Sequence, residues 1–157
     1  MTHTSGLGHL VQHTAVALRQ QTDQILQERL GIGMSQFKLL ITLQDRPQIT
    51  QRGLADHLKQ TEASISRQVK LLCEKGLLSV TTNPRSHREH IMAITPKGAR
   101  LTEAAREVVE EHSKTVFSTL EDKQQQQLLE SINAIHRAVC PGDAGRADCS
   151  LMTIQKV

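Results

Sequence analysis

The side chains best suited to binding chemistry in this sequence lie close together between residues 61 and 70. Ser64, Ser66 and Arg67 combine short hydroxyl groups with a guanidinium group. Hydroxyl groups can approach phosphate oxygens or base edges, and a guanidinium can bind a guanine or a phosphate with two parallel hydrogen bonds. The segment therefore predicts an edge that binds a polyanion. Its predicted contact residues are Thr61, Ala63, Ser64, Ser66, Arg67, Gln68 and Lys70.

A second group of candidate residues lies in the segment 83–89, which opens with the turn-forming dipeptide Asn-Pro. The residues on either side, 77–82 and 90–95, alternate in polarity and include β-branched side chains, as strands do. The pattern predicts a β-hairpin with a charged turn at its tip. Such a tip could reach a minor groove or its phosphates. The predicted contacts on it are Arg85, His87 and Arg88.

The charge of the chain is concentrated around these two segments. Residues 50–98 contain eight Lys and Arg and four Asp and Glu, a net charge of +4, whereas the remaining residues contain eleven basic and twelve acidic ones. A local positive field favours a polyanionic partner. An ordinary solvated surface would explain the same charge. Because the chain has two Phe and no Trp or Tyr, it lacks the aromatic platforms on which single-strand and RNA modules stack bases.

The elements that position these residues are mostly helices. Apolar residues recur every three or four positions over 7–30, which predicts a long amphipathic helix ended by Gly31 and Gly33. Ser35 is the expected N-cap of a short buried helix that Pro47 ends. Further helices are expected over 96–120 and from Asp122 to Val139, and residues 141–157 are expected to be a flexible tail.

Two short helices should hold the first candidate segment. Thr50 is the expected N-cap of a helix over 51–58, and Thr61 is the expected N-cap of a helix that runs to about Lys75. If Ile65, Val69 and Leu72 face inward, helical geometry places Ala63, Arg67, Lys70 and Glu74 on the opposite face. The exposed amides at the first turns, Thr50 included, are natural phosphate anchors. This is the arrangement of a helix-turn-helix that reads duplex DNA.

Several other classes of protein are disfavoured. No stretch approaches the roughly 18 apolar residues of a membrane span, and residues 1–8 lack an apolar signal core. Cys73, Cys140 and Cys149 have neither a disulfide nor a zinc spacing, so we expect a cytoplasmic protein without a metal or cofactor. The sequence contains no Gly-rich phosphate loop and no nucleophile elbow, and we do not expect an enzyme.

Residues 35–101 resemble the MarR family of winged helix-turn-helix transcriptional regulators. The resemblance rests on Thr50-Gln-Arg-Gly-Leu-Ala-Asp-His-Leu, on Ser64-Ile-Ser-Arg-Gln-Val-Lys-Leu-Leu-Cys-Glu-Lys-Gly-Leu-Leu, on Asn83-Pro-Arg-Ser-His-Arg and on Ile94-Thr-Pro-Lys-Gly. It implies a mainly α fold with a small β-hairpin wing (α+β) and long N- and C-terminal dimerisation helices. By position, Ser64, Ser66 and Arg67 match the family's groove-reading segment, and Arg88 matches its wing arginine. Ser86 departs from the acidic residue that usually braces that arginine, and His87 stands where an arginine is common.

The resemblance also implies how the chain is organised and what it binds. Residues 1–34 would be an N-terminal dimerisation helix, 35–98 the DNA-binding domain, 99–140 the C-terminal dimerisation helices, and 141–157 the tail. The homodimer would bind double-stranded DNA at a pseudo-palindromic operator, most simply as a repressor, with half-sites about one helical turn or roughly 34 Å apart.

Many members of the family release DNA when a small phenolic or lipophilic ligand binds between the dimerisation and DNA-binding parts. The resemblance implies such an effector here. His9 and His13 on the first helix are candidate pocket residues, although surface or interface histidines would have the same spacing. Four-residue spacing can also bind metal, but no acidic or Cys partner lies nearby in sequence, so we expect no metal site.

Two alternatives to a ligand-controlled regulator remain open. Cys73 lies near Lys70 and Lys75, whose charges could lower its pKa, so the protein could be a redox-responsive regulator; a small packed thiol is the simpler interpretation. A winged helix can also be a protein-interaction module without specific DNA binding. Salt dependence separates these classes, because phosphate contacts release counterions.

Overall fold

The structure of the protein is a computed structural model that describes residues 3–83 and 86–140, with side chains described over 6–82 and 90–140. This part of the chain forms six α-helices and one two-stranded antiparallel sheet. The predicted mainly α fold with a small β-hairpin is confirmed. The tail expected over 141–157 lies outside the described residues. In chain order the elements are α1 (His3–Leu30), α2 (Met34–Asp45), α3 (Gln51–Leu58), α4 (Glu62–Glu74), β1 (Leu78–Asn83), β2 (Ser86–Ile94), α5 (Pro96–Phe117) and α6 (Asp122–Val139).

The core is built around α2, which contacts α1, α3, α4, α5 and β2. Its side chains are apolar on nearly every face from Phe37 to Leu43, and Leu39 and Leu40 are fully buried. A helix that is apolar all round must be buried by its neighbours, and here it is the support on which the other helices pack. The remaining core residues are aliphatic and come from every other described element except α6: Leu26, Ile32, Leu54, Ala55, Leu58, Ile65, Val69, Leu72, Leu77, Leu78, Met92 and Ala105.

The connection from α1 to α2 differs from the prediction in its capping residue. Gly31 ends α1 in the left-handed conformation at φ 68°, as predicted for this break. The N-cap of α2 is Gly33, however, and the prediction of Ser35 is wrong. The Asp23 carboxylate of α1 accepts a hydrogen bond of 2.6 Å from the Met34 amide. A side chain from the preceding helix therefore performs the capping that we assigned to Ser35.

The hairpin extends further toward its tip than the sequence predicts. Its strands pair antiparallel from Leu78 opposite Ile94 to Thr82 opposite His90, and the register becomes irregular between Thr82 and Asn83. Because β2 begins at Ser86, the prediction of a turn over the whole of 83–89 is wrong. The strand pairing continues into the charged segment and shortens the turn.

Two long helical surfaces are left uncovered in the single chain. The first half of α1 exposes Leu7, Leu10, Val11 and Val16, whereas Thr22 and Leu26 in its second half are buried. No residue of α6 is buried, although apolar side chains recur along one of its faces. Those α6 residues are Leu128, Leu129, Ile132, Ile135 and Val139. None of the helices described in residues 3–83 and 86–140 is long and apolar enough to cross a membrane.

Candidate nucleic-acid interface

Two threonines fix the starts of the helix pair, as predicted. The Thr50 hydroxyl accepts a hydrogen bond of 3.0 Å from the Gly53 amide at the start of α3. The Thr61 hydroxyl accepts one of 3.1 Å from the Ser64 amide at the start of α4. Each hydroxyl satisfies one of the amides that an N-terminus leaves without an intrahelical partner. Both threonines are exposed, so the two helix N-termini begin at the protein surface.

The turn between α3 and α4 is held tight by the backbone of its own residues. Lys59 adopts the left-handed conformation at φ 51°, and the Gln60 amide donates a hydrogen bond of 2.9 Å to the Ala55 carbonyl. The Ser64 hydroxyl donates to the Gln60 side-chain oxygen at 3.1 Å. Because that bond uses its one hydrogen, Ser64 can offer an incoming nucleic acid only its oxygen lone pairs while the bond is made.

One edge of α4 faces solvent, as helical geometry predicts. Ile65 and Leu72 are fully buried and Val69 is 4% exposed, so the apolar stripe faces the core. The opposite edge consists of Ala63, Ser66, Arg67, Lys70 and Glu74, all exposed. We call these five residues the open edge of α4. The edge presents a hydroxyl, a guanidinium and an ammonium along one side of a helix 13 residues long. An α-helix is narrow enough to enter the major groove of duplex DNA.

Gln68 does not belong to the open edge. It is half-buried and lines a cleft of about 340 Å³ between α4 and the junction of α1 and α2. The cleft is polar, since most of its lining side chains carry amide, hydroxyl or charged groups. Its lining residues are Asp23, Gln27, Gly33, Ser35, Gln36, Gln68, Leu71 and Lys75. Of the predicted α4 contacts, Gln68 therefore lies on the side that faces the rest of the protein.

The wing is described only in part. Arg85 lies outside the described residues. His87 and Arg88 lie in β2, which pairs with β1, but their side chains are outside the description. Near the tip of the wing the structure exposes His90, opposite Thr82. The hairpin follows α4 directly in the chain, and its Arg85 and Arg88 continue the basic segment beyond α3 and α4.

Arg52 was not among the predicted contacts. It is the second residue of α3, and it is exposed. Its position in the first turn of α3 places a basic residue at the capped N-terminus of that helix. The available signal was its position two residues after the expected N-cap Thr50, in the basic part of the chain.

The candidate pocket histidines lie elsewhere. His9 and His13 are exposed on the first half of α1, with ring centroids 6.3 Å apart. Neither lines the polar cleft beside α4. Over the described residues, no group of three or more His, Cys, Asp or Glu side chains could hold a metal ion.

The Cys73 thiol has a pKa above its ordinary value, which contradicts the redox alternative and agrees with the simpler interpretation of a small packed thiol. Burial raises the pKa, and the neighbouring Glu74 carboxylate raises it further. Cys73 is half-buried and packs against the core on the inner side of α4. The two lysines do not compensate for the loss of hydration of a thiolate.

Comparison with known proteins agrees with this geometry. The model of the MarR family matches residues 30–89, which contain α2, α3, α4 and most of the hairpin. Over this segment the chain is similar to the MarR family. It is 26% identical over 102 residues to the HTH-type transcriptional regulator BilQ of Clostridium symbiosum, covering 65% of this chain and 71% of that protein. A putative regulatory protein for the hcr operon of Thauera aromatica is 22% identical over 131 residues, covering 83% of this chain and 79% of the relative.

Solved MarR-family structures share the fold of this chain. The apo form of wild-type MarR from E. coli superimposes with a TM-score of 0.72 at 22% identity, covering 82% of this chain and 96% of that one. The S. aureus MepR–DNA complex superimposes with a TM-score of 0.67 at 23% identity, covering 88% of this chain and 99% of MepR. The predicted resemblance to the MarR family is confirmed, and the shared fold extends over the helices on both sides of the winged helix.

Proposed function

We propose that this protein is a MarR-family transcriptional regulator, cytoplasmic and non-enzymatic, that binds double-stranded DNA sequence-specifically as a homodimer. The observation that carries the proposal is the open edge of α4. Its inner stripe is buried, so Ser66, Arg67 and Lys70 face outward from a rigid support. The same fold appears in the S. aureus MepR–DNA complex, which supports DNA as the partner.

Within this proposal the predicted contacts have different roles. Arg67 and Ser66 read base edges in the major groove, while Lys70, Arg52 and the first turns of α3 and α4 hold phosphates. Thr61, Ala63 and Ser64 line the entry of the helix into the groove. Gln68 does not contact DNA directly, because it lies on the side of α4 that faces the rest of the protein. The wing residues Arg85, His87 and Arg88 contact the adjacent backbone or minor groove.

The proposed dimer rests on the uncovered faces of α1 and α6. Leu10 is 61% exposed and Val139 is 69% exposed, and both belong to apolar rows with no covering element among the described residues. Large exposed apolar patches mark interaction sites. Residues 1–34 and 99–140 would then form the dimer, with residues 35–98 as the DNA-binding part. Twofold symmetry would place two α4 helices in successive major grooves of a pseudo-palindrome.

We propose repression by occupancy of the operator and release by a small molecule, since a dimer across two half-sites blocks access to the DNA it covers. The polar cleft beside α4 is partly lined by the reading helix itself, and its lining suits a hydrogen-bonding ligand better than a purely lipophilic one. His9 and His13 remain candidate residues for a pocket completed by the second protomer.

Selection of duplexes from a random pool by the purified full-length protein tests DNA binding. We expect enrichment of a pseudo-palindrome and a steep fall of affinity with salt. Lys70→Ala should reduce the slope of log affinity against log salt by about one per protomer. Lys123→Ala, an exposed lysine on α6, is the matched control and should leave the slope unchanged. A salt-insensitive association without sequence enrichment would instead support a protein-interaction module.

A further inference from the structure

Three helix ends meet beside the C-terminus of the reading helix, and two lysines connect them in series. Lys75 is the C-cap of α4, and its ammonium donates a hydrogen bond of 2.5 Å to the carbonyl of Gly31, which follows α1. The backbone carbonyl of Lys75 accepts one of 2.8 Å from the ammonium of Lys97, in the first turn of α5. The chain of contacts runs from α1 through α4 to α5.

Each lysine lies at the negative end of another helix. The last carbonyls of a helix lack intrahelical partners and carry partial negative charge, so a cation there is favourable. Lys75 occupies this position at α1, where Gly31 turns at φ 68°, and Lys97 occupies it at α4. The Thr95 hydroxyl donates to the Gly76 carbonyl at 2.8 Å and completes the second junction.

We propose that Lys75 is a positioning residue for DNA recognition, acting through the orientation of α4 rather than by contact with DNA. This inference rests on the proposed function. Lys75 joins the C-terminus of α4 to the residue that follows α1, so it would link the proposed dimerisation helix to the reading helix.

Lys75 lies on a side of α4 where a positioning role is possible but a contact with DNA phosphate is not expected. Lys75 lines the polar cleft together with Gln68, Leu71 and Asp23, and does not belong to the open edge. The Asp23 carboxylate in the same cleft is bonded to the Met34 amide. The ammonium of Lys75 therefore faces the α1–α2 junction.

Lever geometry explains why one exposed hydrogen bond would affect recognition. Arg67 lies eight residues before Lys75, a distance of about 12 Å along a helix, so a tilt of about 5° moves the reading end by about 1 Å. Hydrogen bonds to base edges tolerate only a few tenths of an ångström. In a dimer both reading helices would lose their alignment, and with it the spacing between the half-sites.

DNA binding by Lys75 variants provides the first test. Lys75→Met keeps most of the side-chain stem and removes the ammonium, whereas Lys75→Arg retains a donor for Gly31. On the duplex selected by the wild-type protein, we expect Lys75→Met to lower affinity about tenfold because two contacts are lost per dimer. The salt slope should stay unchanged, and Lys75→Met should discriminate less between duplexes whose half-sites differ in spacing by one base pair. Lys75→Arg should restore most of the affinity, and Lys70→Met should reduce the slope.

Amide hydrogen exchange in the free, full-length protein tests the linkage without DNA. We expect faster exchange of the Gly76 and Leu77 amides, which bond to Cys73 and Leu72 carbonyls, in Lys75→Met and not in Lys75→Arg. Unchanged exchange, unchanged affinity, or a salt slope that falls as for Lys70→Met would each overturn the inference while leaving the proposed function intact. Failure of the wild-type protein to enrich any duplex would overturn the proposed function and the positioning role with it.

Discussion

A β-carbon added at Gly98 would lie 2.0 Å from the carbonyl oxygen of Leu77. Gly98 is buried in the first turn of α5, where it meets the residue that immediately precedes β1. The same Leu77 oxygen accepts a hydrogen bond of 3.2 Å from the Thr95 amide. The start of α5 therefore packs directly on the backbone that leads into the wing, and only glycine leaves room for this contact.

Gly98→Ala should lower the free energy of unfolding by about 2–4 kcal/mol, because the new methyl group meets backbone atoms that cannot move without shifting the wing. Urea denaturation followed by circular dichroism measures the change. Gly8→Ala is the control, since a β-carbon there would meet nothing within 4 Å and alanine favours a helix. Equal effects of the two substitutions would contradict the proposed role of the close contact.

The run from Thr95 to Gly98 illustrates how far the sequence could be interpreted. The sequence predicted a helix from residue 96, and α5 does begin at Pro96, with the Thr95 hydroxyl accepting a hydrogen bond of 3.0 Å from the Gly98 amide. The sequence singled out Lys97 and Gly98 only as part of the motif that resembles the MarR family, and it did not show what they contact. Their partners, Lys75 and Leu77, lie about twenty residues earlier and meet them only through the fold.

The incorrect predictions have the same origin. Ser35 is a residue type that commonly caps helices, but α2 begins at Met34, whose amide donates to the carboxylate of Asp23 on the preceding helix. The redox alternative for Cys73 considered only the charges of the neighbouring lysines, whereas burial of the thiol against the core raises its pKa. The open edge of α4 could be predicted from apolar periodicity alone. Because Ile65, Val69 and Leu72 are buried on one side of the helix, the opposite side faces solvent.

Arg67→Ala should weaken binding to the selected duplex by about 1–3 kcal/mol and relax base preference at one position in each half-site, if its guanidinium reads a base. Arg88→Ala should instead weaken binding to all duplexes similarly and flatten the salt dependence. Fluorescence anisotropy on a panel of single-base variants, at several salt concentrations, measures both effects. Lys123→Ala provides the control for loss of one positive charge. If neither variant showed its effect, the proposed contacts on α4 and the wing would be incorrect.

Cys73 should react slowly with iodoacetamide at neutral pH, because its raised pKa keeps the thiol protonated. The test uses a variant with Cys140→Ser and Cys149→Ser, in which Cys73 is the remaining thiol of the three. The pH midpoint of alkylation should be higher in the folded protein than in urea.

The same pKa shift predicts a change in stability at alkaline pH. Above the ordinary thiol pKa the unfolded chain loses its proton first, so the free energy of unfolding should fall as the pH rises, and less so in Cys73→Ser. Peroxide should leave DNA binding unchanged. A folded-state midpoint below that in urea would revive a redox role for Cys73.

Ile135→Glu should dissociate the proposed dimer, because it places a carboxylate in the middle of the apolar row on α6. Ile135 is 44% exposed in the single chain, and its neighbours on that face are Ile132 and Val139. Burying an unpaired charge costs several kcal/mol, so the dimer dissociation constant should rise by roughly a hundredfold or more. Analytical ultracentrifugation over a range of concentrations measures this constant.

Ala134→Glu is the matched control for this variant, since it adds the same charge at the neighbouring exposed position but on a different face of α6. It should leave the dimer intact. Ile135→Glu should also weaken binding to the pseudo-palindrome far more than binding to a single half-site, because separate protomers lose the joint attachment of two reading helices. An Ile135→Glu protein that remained dimeric with unchanged affinity would show that this face of α6 does not form the interface.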